Sequence, residues 1–181
     1  MGIYDTELIA LRDFASFQTA YITQLHNVIA RLSPAQPAPT AVEAVRVDAQ
    51  FLSNSIYKYL STLGVPVASA HFVDAAYWLC SRQDFDVVVR EDATERAAYL
   101  VDRFDCDDFA HGFRAAVSAR YGVTGIAYVE GPLTTGGVLH AFNLVVFSDG
   151  VVALFEPQAD QYVEPLSGGL YDLAKGGLIE I

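Results

Sequence analysis

A chain of 181 residues with 52% hydrophobic side chains suits one domain, or one compact domain with an appendage, and can bury a full core without disulfides or a structural metal. Its formal net charge of −11 repels phosphate backbones, which argues against a nucleic-acid partner, and attracts divalent cations. Two cysteines are too few for a disulfide framework, so a reducing, cytoplasmic setting is expected; no run of 18 apolar residues spans a membrane, and the acidic N-terminus lacks a signal-peptide pattern.

In chain order, Leu8, Leu11, Ala15, Gln18, Ile22, Leu25, Ile29 and Leu32 recur at spacings of three and four, the period of a helix. Asp5 or Thr6 can cap its start, and the proline run Pro34, Pro37, Pro39 ends it. Thr40 then reads as the cap of a second helix, with Glu43 completing a capping box and Val42, Val45, Ala49, Leu52, Ile56, Tyr59 and Leu63 forming its seam up to Gly64. Residues 1–66 are thus expected to form an antiparallel helical hairpin that serves packing or homo-oligomerisation.

From residue 67 the pattern changes. A short aromatic-rich helix is expected over 71–82, a brief strand over 85–89, and helices over 91–101 and 105–120, the last closed before Gly122. Strands follow over 123–129, 138–147 and 151–155, with Ser148-Asp149-Gly150 as a hairpin turn and edge strands over 163–166 and 178–181. Helices followed by an antiparallel sheet predict an α+β domain over 67–181.

Three side chains in this half carry chemistry. Cys106 stands at a helix start, where the dipole and unpaired amides favour a thiolate and offer oxyanion donors. His140 opens the apolar run Ala141–Phe147 behind a glycine-containing stretch, at a strand entrance. Glu156 lies on the next strand. The Ser148–Gly150 turn pairs residues whose numbers sum to about 298, which brings Glu156 within a pair or so of His140, close enough to hold the imidazole in one tautomer. Asn143, three residues along the strand, should point to the opposite face. His111 falls roughly 140° around the helix from Cys106.

The segments Asp105-Cys106-Asp107-Asp108-Phe109-Ala110, His140-Ala141-Phe142-Asn143 and Phe155-Glu156-Pro157-Gln158 resemble the papain-like and transglutaminase-like cysteine peptidases. In motif they look most like the calcium-dependent protease domain of fungal mushroom agglutinins. The resemblance covers roughly residues 100–160, and no sugar-binding repeat of the agglutinin's lectin half is legible. It implies a helix-borne nucleophile Cys106, a base His140 and an orienting acid Glu156, acting on a peptide or protein substrate by hydrolysis or transamidation. The acids beside Cys106 should raise its pKa, and a bound cation removes that conflict. The resemblance implies Ca²⁺ with Asp107 and Asp108 as ligands, and Asp160 or Glu164 is near enough in sequence to close the site. The alternative is a catalytically silent papain-like fold acting as a binding or structural assembly protein. These alternatives divide on whether the sulfur is an activated nucleophile.

Overall fold

The apolar run Ala141–Phe147 occupies the middle of the fold. In the computed structural model, which describes residues 38–65, 69–131, 139–165, 171, 173 and 178–181, it forms most of strand β5 (His140–Val146). Every residue of β5 after His140 is buried, as a strand covered on both faces requires. The strands β1 (Val45–Asp48), β2 (Ser69–His71), β3 (Ala76–Leu79), β4 (Ile126–Gly131), β6 (Val152–Glu156), β7 (Gln161–Val163) and β8 (Leu178–Glu180) complete the set. Six of them form one sheet in the order β2-β8-β4-β5-β6-β7, while β1 and β3 pair as a separate ribbon. All pairings are antiparallel except β2 with β8, so the larger sheet is mixed.

Helices cover both faces. Helix α1 (Ala49–Thr62) starts at Asp48, whose side chain accepts from the Phe51 amide at 2.8 Å, and buries Leu52, Ile56 and Leu60. These pack with Ala127, Val129, Leu144 and Val146 from one sheet face. Helices α2 (Arg82–Glu91) and α3 (Cys106–Tyr121) bring Phe85, Val88, Phe113 and Val117 against Ile126, Val145 and Phe155 from the other. Phe85 is central there, meeting Phe113, Phe147 and Phe155 edge-on at 6.0, 5.9 and 5.6 Å between ring centroids. Such contacts add about 1 kcal/mol each beyond burial. The alternation Leu144, Val145, Val146 therefore feeds two cores.

The expected fold class is corrected by this arrangement. The first helix of the expected hairpin, residues 5–32, lies outside the described residues. Its expected partner is α1, which belongs to the unit Pro39–Ile181 and closes one sheet face. That helix begins at Ala49 rather than Thr40, because Val45–Asp48 pairs with β3. The expected helix over 71–82 instead holds the last residue of β2 and the whole of β3, where Tyr77 and Leu79 are buried and Trp78 is 44% exposed, a period of two. The expected strand over 85–89 is α2, capped by Ser81 and anchored by Phe85 and Val88 three residues apart. Residues 91–101 hold a single 3-10 turn, Thr94–Arg96, in place of a helix. Strand β8 is internal, between β2 and β4, rather than at an edge. Among the described residues, no helix is long and apolar enough to cross a membrane.

Candidate functional site

Helix α3 ends at Gly122, whose φ of 68° is left-handed, and starts at Asp105. The Asp108 carboxylate turns back to accept from the Asp105 amide at 3.2 Å, so Asp108 secures the helix start. The start lies over the ends of β4 and β5, where Glu130 pairs with Ala141 and Gly131 with His140. Asn143 ties helix to sheet: it is fully buried, and its Nδ2 donates to Ala110 O at 3.0 Å and Ala127 O at 3.2 Å. Tyr128, opposite Asn143 in β4, lies parallel to the His111 ring with centroids 4.2 Å apart.

Between these parts opens a cleft of about 360 Å³, lined by Tyr99, Asp105, Cys106, Asp107, Tyr128, Glu130, Leu139 and Ala141. Three carboxylates and two phenols face it, and among the described residues no basic side chain lines it. Asp105 and Asp107 share a hydrogen bond that holds the Asp105 carboxyl below its ordinary pKa. The same bond, then burial, raises that of Asp107. Burial pushes the Tyr128 hydroxyl up to about 12, with Glu130 adding to it.

Cys106 forms part of the cleft wall. Its thiol pKa is raised, first by burial and then by Asp105 and Asp107, against the opposing effect of the Ala141 amide. Sγ lies 3.9 Å from Asp105 Oδ1. His140 Nε2 and Glu156 Oε2 are 2.7 Å apart. Glu156 is buried and fully used: Oε2 also accepts from the Tyr171 hydroxyl at 3.0 Å and Oε1 from the Gln158 amide at 3.0 Å. The imidazole packs near the rings of Phe142 and Tyr171. His140 and Glu156 are thus joined, and Cys106 lies beside Ala141, the neighbour of His140. Among the described residues, no hydrogen bond joins Cys106 to His140.

Asp160 lies elsewhere. It sits in the β6–β7 turn with Asp92, which follows α2, and Glu95 of the 3-10 turn. One ligand atom from each lies within 4.8 Å of the others. Asp107 groups instead with Asp105 and Cys106, and Asp108 joins neither group. Burial, then Glu95 and Asp92, raises the Asp160 carboxyl to about 6. Sequence reasoning missed Asp92 and Glu95, and also Tyr99, Tyr128 and Glu130. Tyr128 and Glu130 carry the signal of strand alternation, but the expected strand stopped at 129.

With this geometry established, comparison with solved structures gives a clear likeness of fold. The lectin of Polyporus squamosus, solved with the human-type influenza-binding epitope Neu5Aca2-6Galb1-4GlcNAc, matches with a TM-score of 0.54 and 20% identity over 74% of this chain and 49% of the lectin's. A structure titled as the PSL1a-E64 complex matches with a TM-score of 0.54 and 18% identity, over 75% of this chain and 51% of the other. The chain thus spans about half the length of the proteins it matches. No protein-family model and no curated protein matches it.

These likenesses correct the expected membership of the papain-like and transglutaminase-like peptidases, because one matching structure is titled as a lectin and neither title names a peptidase. The cysteine-hydrolase reading and its peptide or protein substrate are withdrawn with it. The local physics runs the same way. Burial, and then the flanking acids Asp105 and Asp107 as expected, favour the neutral thiol over the thiolate that the helix start was expected to favour.

Proposed function

We propose that this chain is a ligand-binding protein whose cleft beside the start of α3 takes a neutral or cationic, hydroxyl-rich ligand such as a saccharide. The observation that carries this reading is the lining itself: Asp105, Asp107 and Glu130 with Tyr99 and Tyr128 around a space of about 360 Å³. Carboxylates accept hydrogen bonds from hydroxyl groups more strongly than neutral acceptors do. Tyrosine rings offer apolar faces with a polar tip for the C–H surface of a sugar ring. The name of the matching fungal lectin supports the same ligand class. That lectin's epitope includes an acidic Neu5Ac residue. Three carboxylates, with no basic side chain among the described lining residues, disfavour an anion, so a neutral saccharide is the better fit here.

In this reading Cys106 is a wall of the cleft, and the His140–Glu156 pair braces the end of β5 against β6. The test is calorimetric titration of the full chain with neutral and sialylated oligosaccharides. Neutral sugars should bind more tightly. Asp107→Asn should weaken binding about tenfold, the effect of one charge-assisted hydrogen bond. Cys106→Ala should leave affinity within about twofold. Equal affinity for acidic and neutral sugars, or binding indifferent to Asp107, would refute the assignment of the cleft.

A further inference from the structure

On the reading of the cleft as a saccharide site, we propose that Tyr99, Leu100, Val101 and Leu139 form an apolar subsite at its rim. That subsite takes the aglycone of a monomeric glycoside, an alkyl or aryl group, while the acids of the cleft hold the sugar. Tyr99 and Leu139 line the cleft yet are 53% and 52% exposed, so they stand at its opening. Leu100 and Val101 follow Tyr99 directly and are 50% and 70% exposed. The apolar surface is therefore continuous with the cleft.

Single exposed apolar side chains are ordinary on a protein surface, whereas a contiguous group beside a cleft marks an interaction site. This group is also fixed in place. Leu100 and Phe104 exchange both backbone hydrogen bonds, each at 2.8 Å, closing a tight turn in which Asp102 has a φ of 58°. The Asp102 amide donates to Asp105 Oδ2 at 3.0 Å, which fastens the turn to the acid at the start of α3. Tyr99 and Phe104 both pack on the buried Phe109 ring, with centroids 6.5 and 4.8 Å away. An apolar surface held in this way loses little freedom when a ligand settles on it.

The two parts of the surface ask for different chemistry. Asp105, Asp107 and Glu130 accept from hydroxyl groups and repel anions, whereas Leu100, Val101 and Leu139 offer carbon alone. A sugar without a substituent leaves Leu100 and Val101 in water. An apolar molecule without hydroxyl groups covers three carboxylates and supplies no donors to them, which is costly. A ligand that carries a hydroxyl-rich ring and an apolar group in one molecule satisfies both parts, as small-molecule sites with a few polar anchors beside apolar walls do.

The experiment is calorimetric titration of the full chain with methyl and octyl β-glucoside, both kept below micelle formation. Each fully buried methylene is worth about fourfold in affinity, so an open rim covering part of the octyl chain should give a preference of about thirtyfold. Leu100→Ser combined with Val101→Ser should cut that preference below about fivefold. Both side chains are at least half exposed, so the fold tolerates the change. Val151→Ser, at an equally exposed position beyond the other end of β5, should keep the full preference. Equal affinity for the two glucosides overturns the subsite and leaves the saccharide reading of the cleft standing. So does a preference that survives the double substitution. Octyl tetraethylene glycol binding as tightly as octyl glucoside overturns both, since the sugar then contributes nothing, and so does a failure of either glucoside to bind. Binding confined to phosphatidylcholine vesicles carrying glucosylceramide overturns the monomeric ligand in favour of a membrane surface.

Discussion

Four positions apart on one strand and turn, Glu156 and Asp160 are held under opposite conditions. Glu156 is buried among donors: His140, Tyr171 and the Gln158 amide all direct hydrogen bonds to its two oxygens. Asp160 is pressed against two further acids, Asp92 and Glu95, with one oxygen sealed and unpartnered. Burial alone therefore says little about a carboxylate. What decides is whether donors or like charges surround it, and that sets the sign of every perturbation.

The largest expected effect comes from the satisfied end. Glu156→Gln puts an amide NH₂ where Oε2 now accepts from both His140 and Tyr171, leaving facing donors. It should cost about 2 kcal/mol in urea unfolding at neutral pH. If stability is unchanged, the described partners of Glu156 contribute nothing. The frustrated end should respond in the other direction. Asp160→Asn relieves like-charge repulsion and should stabilise the protein by about 1 kcal/mol, a value discounted for solvent screening. A loss of stability there would erase the contrast.

The pH profile sharpens the same comparison. The folded Asp160 carboxyl titrates near 6, above its ordinary value of 3.8. Between these values the folded state holds a proton that the unfolded state has released. Its contribution to stability is therefore fully present below about pH 4 and is lost as pH rises through about 6. Asp160→Asn should remove this component of the slope, as read from urea midpoints across that window. The smallest effect concerns the cleft. Because the Cys106 thiol pKa is raised, iodoacetamide should label it more slowly than a simple thiol at neutral pH, gaining rate only in alkaline buffer. Mass spectrometry of the labelled chain reads this directly. Labelling faster than glutathione at pH 7 would show that another influence outweighs burial and the two acids.

The β5–β6 hairpin was legible because its signal is local. The Ser148–Gly150 turn fixes the β5–β6 register, with Asn143 opposite Phe155, whose numbers sum to the expected 298. The helix carrying Cys106 was marked by acids before it and Gly122 after it. What escaped was whatever depended on distant pairing. Val45–Asp48 is apolar enough to continue a helical seam, and only its ladder with Ala76–Leu79 makes it a strand. The three-valine run in α2 favours a strand by propensity, and packing of Phe85 and Val88 overrides it. Asp92 and Glu95 were overlooked because their companion, Asp160, lies more than sixty residues onward, and no spacing rule links the two stretches.

The position of β8 carries a kinetic consequence. It separates β2 from β4, pairing Ser69 with Leu178 on one side and Tyr128 with Glu180 on the other. Strand β2 therefore has no place in the large sheet until β8 has docked, and it waits unpaired across the synthesis of most of the intervening chain. The antiparallel ladders of β4 through β7 can zip from nearby turns, whereas this parallel seam must close a very long loop. Assembly should finish there, and an intermediate caught before that step would expose the edge of β4 as a template for a neighbouring molecule.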